Sequence, residues 1–137
     1  MELLNKIQQQ LSVPKNRRNS FGNYNYRSCE DILNAVKPLL GDGELTLSDH
    51  LKECGGRVFV VATATLVDGE EEASVDGCAE VPVQRKGMDA SQITGCASSY
   101  ARKYALNGLF CIDDVKDADS DEHNDKYEDL KGETEQW

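Results

Sequence analysis

Two kinds of side chain alternate along residues 14–28, PKNRRNSFGNYNYRS. Lys15, Arg17, Arg18 and Arg27 carry positive charge, and Phe21, Tyr24 and Tyr26 stand among them. Cations neutralise phosphates, and aromatic faces stack on exposed bases at about 1–3 kcal/mol per base. The mixture suits single-stranded nucleic acid, whose bases are free to stack. A plainer reading also fits: the rings pack into a core and the arginines solvate a loop. Two basic pairs follow later, Arg85-Lys86 and Arg102-Lys103. A lone basic pair on a helix reads as a solvated face, but three basic clusters in one domain point to a groove.

No pattern for making or breaking covalent bonds accompanies them. The chain has no Gly-rich phosphate loop, no Gly-x-Ser-x-Gly and no His-Glu-x-x-His. Asp49-His50 reads as a pair of exposed polar positions in a strand. Asp113-Asp114 can bind a divalent ion, yet it heads an acidic run that reads as solvated. The five cysteines, Cys29, Cys54, Cys78, Cys96 and Cys111, form no Cys-x-x-Cys pair, and His50 and His123 are the only histidines. Reduced, structural thiols in a cytosolic protein are expected, with no metal, no cofactor and no enzymatic activity.

The basic and aromatic residues need elements to position them. Residues 2–12 form a short amphipathic helix with Leu3, Leu4, Ile7 and Leu11 on one face, ended by Pro14. Its polar character lacks a signal peptide's apolar core. Glycine and asparagine make the basic-aromatic stretch a loop or irregular hairpin. Ser28 caps a second helix with Asp31 at the third position, and Ile32, Leu33, Val36, Leu39 and Leu40 supply its apolar side before Gly41-Asp42-Gly43. Three strands follow: Leu45 to about Leu51, Arg57 to Val67, and Ala73 to Val83, turned at Gly55-Gly56 and Asp68-Gly69. On the third, Ala73, Val75, Ala79, Val81 and Val83 share a face, and Pro82 belongs at an edge or strand end.

A last helix starts at Asp89, with Gln92 completing a capping box and Asn107-Gly108 as its stop. Ile93, Ala97, Tyr100 and Tyr104 stack on one face, and the small residues from Gly95 to Ser99 allow close approach to another layer. Arg102 and Lys103 point away from part of that contact. Short turns imply an antiparallel meander with one apolar face, which this helix covers. The expected fold is α+β, in the order α-α-β-β-β-α.

At 137 residues the chain fits one domain that buries roughly two-thirds of its surface. No apolar run is long enough to span a membrane. The net charge of −10 would argue against nucleic acid if it were spread evenly. Residues 113–137 hold eleven Asp and Glu against three Lys, a net −8, leaving −2 over residues 1–112. The division is a domain over 1–112 and an acidic tail over 113–137, expected to be disordered.

NSFGNYNYRSCEDILNAVKPLL, the V-A-T-A-T-L strand and MDASQITGCASSYARKYALNGLFCIDD together resemble the Erf family of phage single-strand annealing proteins. The likeness covers most of residues 1–117. Its most distinctive part is Ser-Tyr-Ala-Arg-Lys-Tyr-Ala-Leu with the trailing Leu-Phe-x-Ile-x-Asp. The resemblance implies a β-β-β-α core, ATP-independent binding and annealing of single-stranded DNA in homologous recombination, and assembly into rings or helical homo-oligomers. It places the protein in the cytoplasm of a phage-infected or prophage-bearing bacterium. By the same resemblance Arg102 and Lys103 fall on a basic, groove-lining helix, and Tyr24, Tyr26 and Arg27 in an aromatic-basic N-terminal segment. Larger relatives carry a separate C-terminal region where this chain has about two dozen acidic residues.

These readings give a DNA-binding set of Lys15, Arg17, Arg18, Tyr24, Tyr26, Arg27, Arg85, Lys86, Arg102 and Lys103. The acidic tail with its terminal Trp137 fits a basic, apolar-lined pocket of a recombination nuclease or host single-strand-binding protein, or competes with DNA for the chain's own groove. It serves solubility alone in the plainest reading. A regulatory or host-interaction protein that kept the fold without annealing is the alternative function.

Overall fold

The computed structural model describes residues 1–112; the expected disordered tail over 113–137, with Asp113-Asp114 and Trp137, lies outside the described residues. The elements are α1 (Glu2–Gln10), β1 (Arg17–Asn19), β2 (Tyr24–Tyr26), α2 (Cys29–Val36), a single 3-10 turn (Lys37–Leu39), β3 (Glu44–Cys54), β4 (Arg57–Asp68), β5 (Glu71–Val81) and α3 (Ala90–Phe110). The class is α+β as expected. The basic-aromatic stretch adds a small antiparallel hairpin, β1–β2, between the first two helices.

The main sheet is a meander of order β3-β4-β5. Gly55 and Gly56 take φ of +60° and +78°, the left-handed pair that a tight two-residue turn requires and that side chains resist. Register then sets whole rows across the sheet: Leu47 faces Ala64 and Val75, and Asp49 faces Ala62 and Gly77. The β4 alternation buries Val60, Ala62, Ala64 and Leu66 on the helix side. On the other side Thr63 Oγ1 donates to Asp76 Oδ1 at 2.7 Å, and the Thr65 and Ser74 hydroxyls meet at 2.8 Å.

All three helices feed one core. Ile7 from α1, Ile32 and Val36 from α2, and Ala97, Ala101, Ala105, Leu106, Leu109 and Phe110 from α3 join the β4 residues. The approach of α3 is unusually close at Gly77. A β-carbon there would lie 2.4 Å from the Ala105 nitrogen and 2.5 Å from the Ala101 oxygen. Gly77 together with Ala97, Ala101 and Ala105 lets the helix backbone lie almost on the strand, which aims the larger side chains of α3 sideways.

Both capping boxes form as expected. Ser28 Oγ accepts from the Asp31 N–H and Asp31 Oδ2 accepts from the Ser28 N–H, while Asp89 and Gln92 exchange the same pair of bonds.

Three expectations are corrected. Asn107-Gly108 does not stop α3, which runs on to Phe110 and ends at Cys111 in a left-handed conformation (φ 49°, ψ 51°). Leu109 and Phe110 are buried, and burying two large apolar side chains outweighs the cost of about 1 kcal/mol for a helical glycine. Val83 does not share the inner face of β5. That strand ends at Val81, Pro82 follows, and Val83 is 96% exposed. The cysteines are free as expected, but only Cys29 is buried, with its thiol pKa pushed up by that burial. Cys54, Cys78 and Cys111 lie at the surface and Cys96 is half-buried, so a place in the core holds for Cys29 alone. No helix among the described residues is long and apolar enough to cross a membrane.

Candidate nucleic-acid interface

The β1–β2 hairpin is shaped by Asn19. Its Oδ1 accepts the N–H groups of Phe21 and Gly22 at 2.9 and 3.1 Å, and its Nδ2 donates to the Tyr24 hydroxyl at 2.9 Å. This turn presents Phe21 outward, 81% exposed, at the tip. Tyr24 and Tyr26, two apart on β2, meet edge to face with ring centres 6.1 Å apart.

The hairpin stands against α3. Lys103 Nζ lies 5.7 Å from the ring centre of Tyr26 and 5.7 Å from that of Tyr100, within the range of a cation–π attraction. One helical turn on, Tyr104 sits with its ring centre 6.2 Å from that of Tyr100. Burial raises the Tyr104 pKa to about 12, with the neighbouring Tyr100 and Tyr24 adding to it, and shifts Tyr100 in the same direction. These phenols remain neutral rings at physiological pH. The result is a tyrosine cluster around one lysine, drawn from residues about eighty positions apart in the chain.

Beside this cluster opens a cleft of about 1220 Å³. Asn19 and Phe21 of the hairpin form one wall, Tyr100 and Tyr104 of α3 another, and Arg85, Lys86 and Met88 of the β5–α3 loop a third. Neither Arg85 nor Lys86 forms an ion pair among the described residues. Glu80 also lines the cleft, but Arg57 grips it with two bonds of 2.7 Å, offsetting its charge. The floor is apolar, with Ala79, Ile93 and Ala97. Aromatic walls and a basic rim match what a single strand offers, flat bases and a phosphate backbone.

The structure sorts the ten expected residues into three groups. Tyr24, Tyr26, Lys103, Arg85 and Lys86 come together at or beside the cleft. Arg18 is exposed on β1, donating to Asn25 Oδ1 at 3.1 Å and to Asn23 Oδ1. Lys15 is half-buried just before β1. The remaining three are engaged in the fold. Arg17 binds both oxygens of Asp31 at 2.8 and 3.0 Å; that bond, helped by the Ser28 N–H and hydroxyl, holds the Asp31 carboxyl at about 2. Arg27 is 5% exposed, and its Nε donates to the Val13 carbonyl at 2.8 Å, tying the hairpin base to the segment after α1. A guanidinium so placed cannot reach a phosphate in this conformation.

Arg102 is held by a residue read from sequence as merely exposed. Its Nε donates to Asp49 Oδ1 at 3.0 Å, and Ser98 Oγ donates to Asp49 Oδ2 at 2.5 Å. Burial works against ionisation of Asp49, but the two bonds outweigh it and lower its pKa. Asp49 is exposed, as read from the sequence, and on the helix side of the sheet it also anchors α3. The cleft also adds residues absent from the expected set: Phe21, Tyr100 and Tyr104. Their signals were legible as aromatic spacing, yet Tyr100 and Tyr104 fit a core-facing stripe equally well.

The model of the ERF superfamily matches residues 1–136. The chain belongs to the ERF superfamily. It is 58% identical over 120 residues to the "Essential recombination function protein" of Salmonella phage P22, an alignment covering 88% of this chain. The chain spans 58% of the length of that relative. No solved structure matches it. This membership agrees with the family read from the Ser-Tyr-Ala-Arg-Lys-Tyr-Ala-Leu block and its trailing Leu-Phe-x-Ile-x-Asp.

Proposed function

We propose that this chain binds single-stranded DNA in the cleft between the β1–β2 hairpin and α3, and anneals complementary strands without ATP during phage homologous recombination. The observation that carries this reading is the meeting of the hairpin and the family's motif helix at one place: Lys103 between Tyr26 and Tyr100, beside a cleft rimmed by Arg85 and Lys86 and tipped by Phe21. Basic groups hold the phosphate backbone and the aromatic faces take bases, which opposes secondary structure in the strand. Copies of the chain arrayed side by side extend the groove, so that two coated strands test pairing along their length. Annealing is downhill once strands meet, and the protein organises it without forming a covalent bond.

An annealing time course with two complementary dye-labelled oligonucleotides tests this, run without ATP at two salt concentrations. Pairing accelerated by the protein, and less so as salt rises, is the expected result. No acceleration by a folded protein would reject the annealing role and favour a regulatory function on the same fold.

A further inference from the structure

Resting on that reading of the cleft, we infer that residues 113–137 of the same chain dock in it and compete with single-stranded DNA. The first ground is charge complementarity. The segment carries eleven acids against three lysines, whereas the cleft has Arg85 and Lys86 on its rim and Lys103 beside it. Glu80, the acid among the cleft's lining residues, is already gripped by Arg57. An acidic peptide therefore meets the same cations that phosphates would meet.

The second ground is the type of side chain. The segment holds Tyr127 and Trp137, and the cleft walls are Phe21, Tyr100 and Tyr104 over an apolar floor. A peptide bearing carboxylates and aromatic rings imitates a strand bearing phosphates and bases. A volume of about 1220 Å³ admits several side chains at once.

Reach is the third ground. The segment begins just beyond Cys111, whose left-handed conformation ends α3, and Ile112 N–H donates to the Asn107 carbonyl at 3.1 Å. At 1.5 Å per residue, Tyr104 lies about 9 Å back along the helix and Tyr100 about 15 Å. Twenty-five residues can extend to about 80 Å at most, several times those distances. Tethering at such a distance gives millimolar effective concentrations, so weak contacts suffice to compete.

Docking makes DNA affinity a balance: at low salt the segment occupies the cleft, and a strand must displace it. The chain's only tryptophan, Trp137, reports on this directly. In the full chain at about 50 mM salt, acrylamide should quench Trp137 poorly, and adding oligothymidylate should make it several-fold more accessible. A full-chain variant with the eleven acids of residues 113–137 changed to their amides should bind oligothymidylate at least tenfold more tightly. A synthetic peptide of residues 113–137, added in trans, should displace the oligonucleotide from that variant, and the same peptide with its eleven acids changed to their amides should not.

Trp137 equally accessible with and without DNA, or a peptide that fails to compete, would overturn the docking even if affinity rises, since removing charge alone lessens repulsion. If neither the full chain nor the amide variant binds oligothymidylate at low salt, the DNA reading of the cleft fails. If both bind with equal affinity, that reading stands and the competition is rejected.

Discussion

Arg102 and Asp49 join helix α3 to the sheet: the guanidinium Nε donates to the carboxylate at 3.0 Å across 53 positions of sequence. Lys103, the next residue, turns to Tyr26 and Tyr100 instead. Two adjacent cations of this helix therefore serve different ends, one setting the position of the helix and the other standing over the Tyr26 and Tyr100 rings beside the candidate cleft.

That division predicts opposite effects from two matched substitutions. Arg102→Gln leaves the partly buried Asp49 without its cation and should lower stability by about 1 kcal/mol. Asp49→Asn should cost a similar amount, and the double variant little more than either alone, because the two share one interaction. Lys103→Gln should leave the melting temperature within a degree or two while weakening oligonucleotide binding and reducing its salt slope by about one. Melting curves paired with salt-titrated binding read both. A large loss of stability in Lys103→Gln with no loss in Arg102→Gln would reverse the assignment.

Phe21 separates stacking from folding. It is 81% exposed at the hairpin tip, so Phe21→Ala removes no core contact and should not change stability. If the ring stacks on a base, binding should weaken by about 1–3 kcal/mol, roughly 5- to 150-fold, with the salt slope unchanged. Fluorescence anisotropy with an oligothymidylate probe measures both. Unchanged affinity would remove the tip from the interface.

The Gly77 contact predicts a failure of packing. A methyl group there would meet the α3 backbone at 2.4–2.5 Å, and the helix must shift to admit it. Gly77→Ala should destabilise by roughly 1–3 kcal/mol or more despite alanine's smaller loss of chain entropy. The displaced helix should also disturb the cleft, so that DNA affinity falls along with the melting temperature. Gly95→Ala is the control, since its β-carbon would meet nothing within 4 Å and it lies in the first turns of α3. That change should be neutral or stabilising, by up to about 1 kcal/mol.

Local signals were legible wherever neighbours in sequence decide the outcome. Ser28 with Asp31 and Asp89 with Gln92 announced both capping boxes, and the alternation in β4 announced the buried face. What escaped was decided by residues far away. The bonds that Asp49 makes to Ser98 and Arg102 come from α3, and the buried place of Arg27 is set by the carbonyl of Val13. Asn107-Gly108 is a helix stop in isolation, overridden because Leu109 and Phe110 reach the core. At the site, the basic-aromatic segment and the motif helix were each visible. Their meeting at Lys103 was not, since no local spacing pairs Tyr26 with Tyr100.

Acid should test the base of the hairpin. Asp31 takes part in the α2 capping box and binds Arg17, and these bonds hold its carboxyl near 2, below the usual value of 3.8. A lowered folded-state pKa means the unfolded chain binds the proton more readily. The contribution is therefore complete above about pH 4–5 and is lost as pH falls through 3.8 towards about 2. Asp31→Asn keeps a capping side chain but loses the charge, and should cost about 1 kcal/mol at pH 7. The gap from the parent should be constant from pH 7 to about pH 5 and close by about pH 2. Urea unfolding at a series of pH values measures it. A gap that persists undiminished at pH 2 would show that the carboxylate's charge contributes nothing and that Asp31 acts only through its shape.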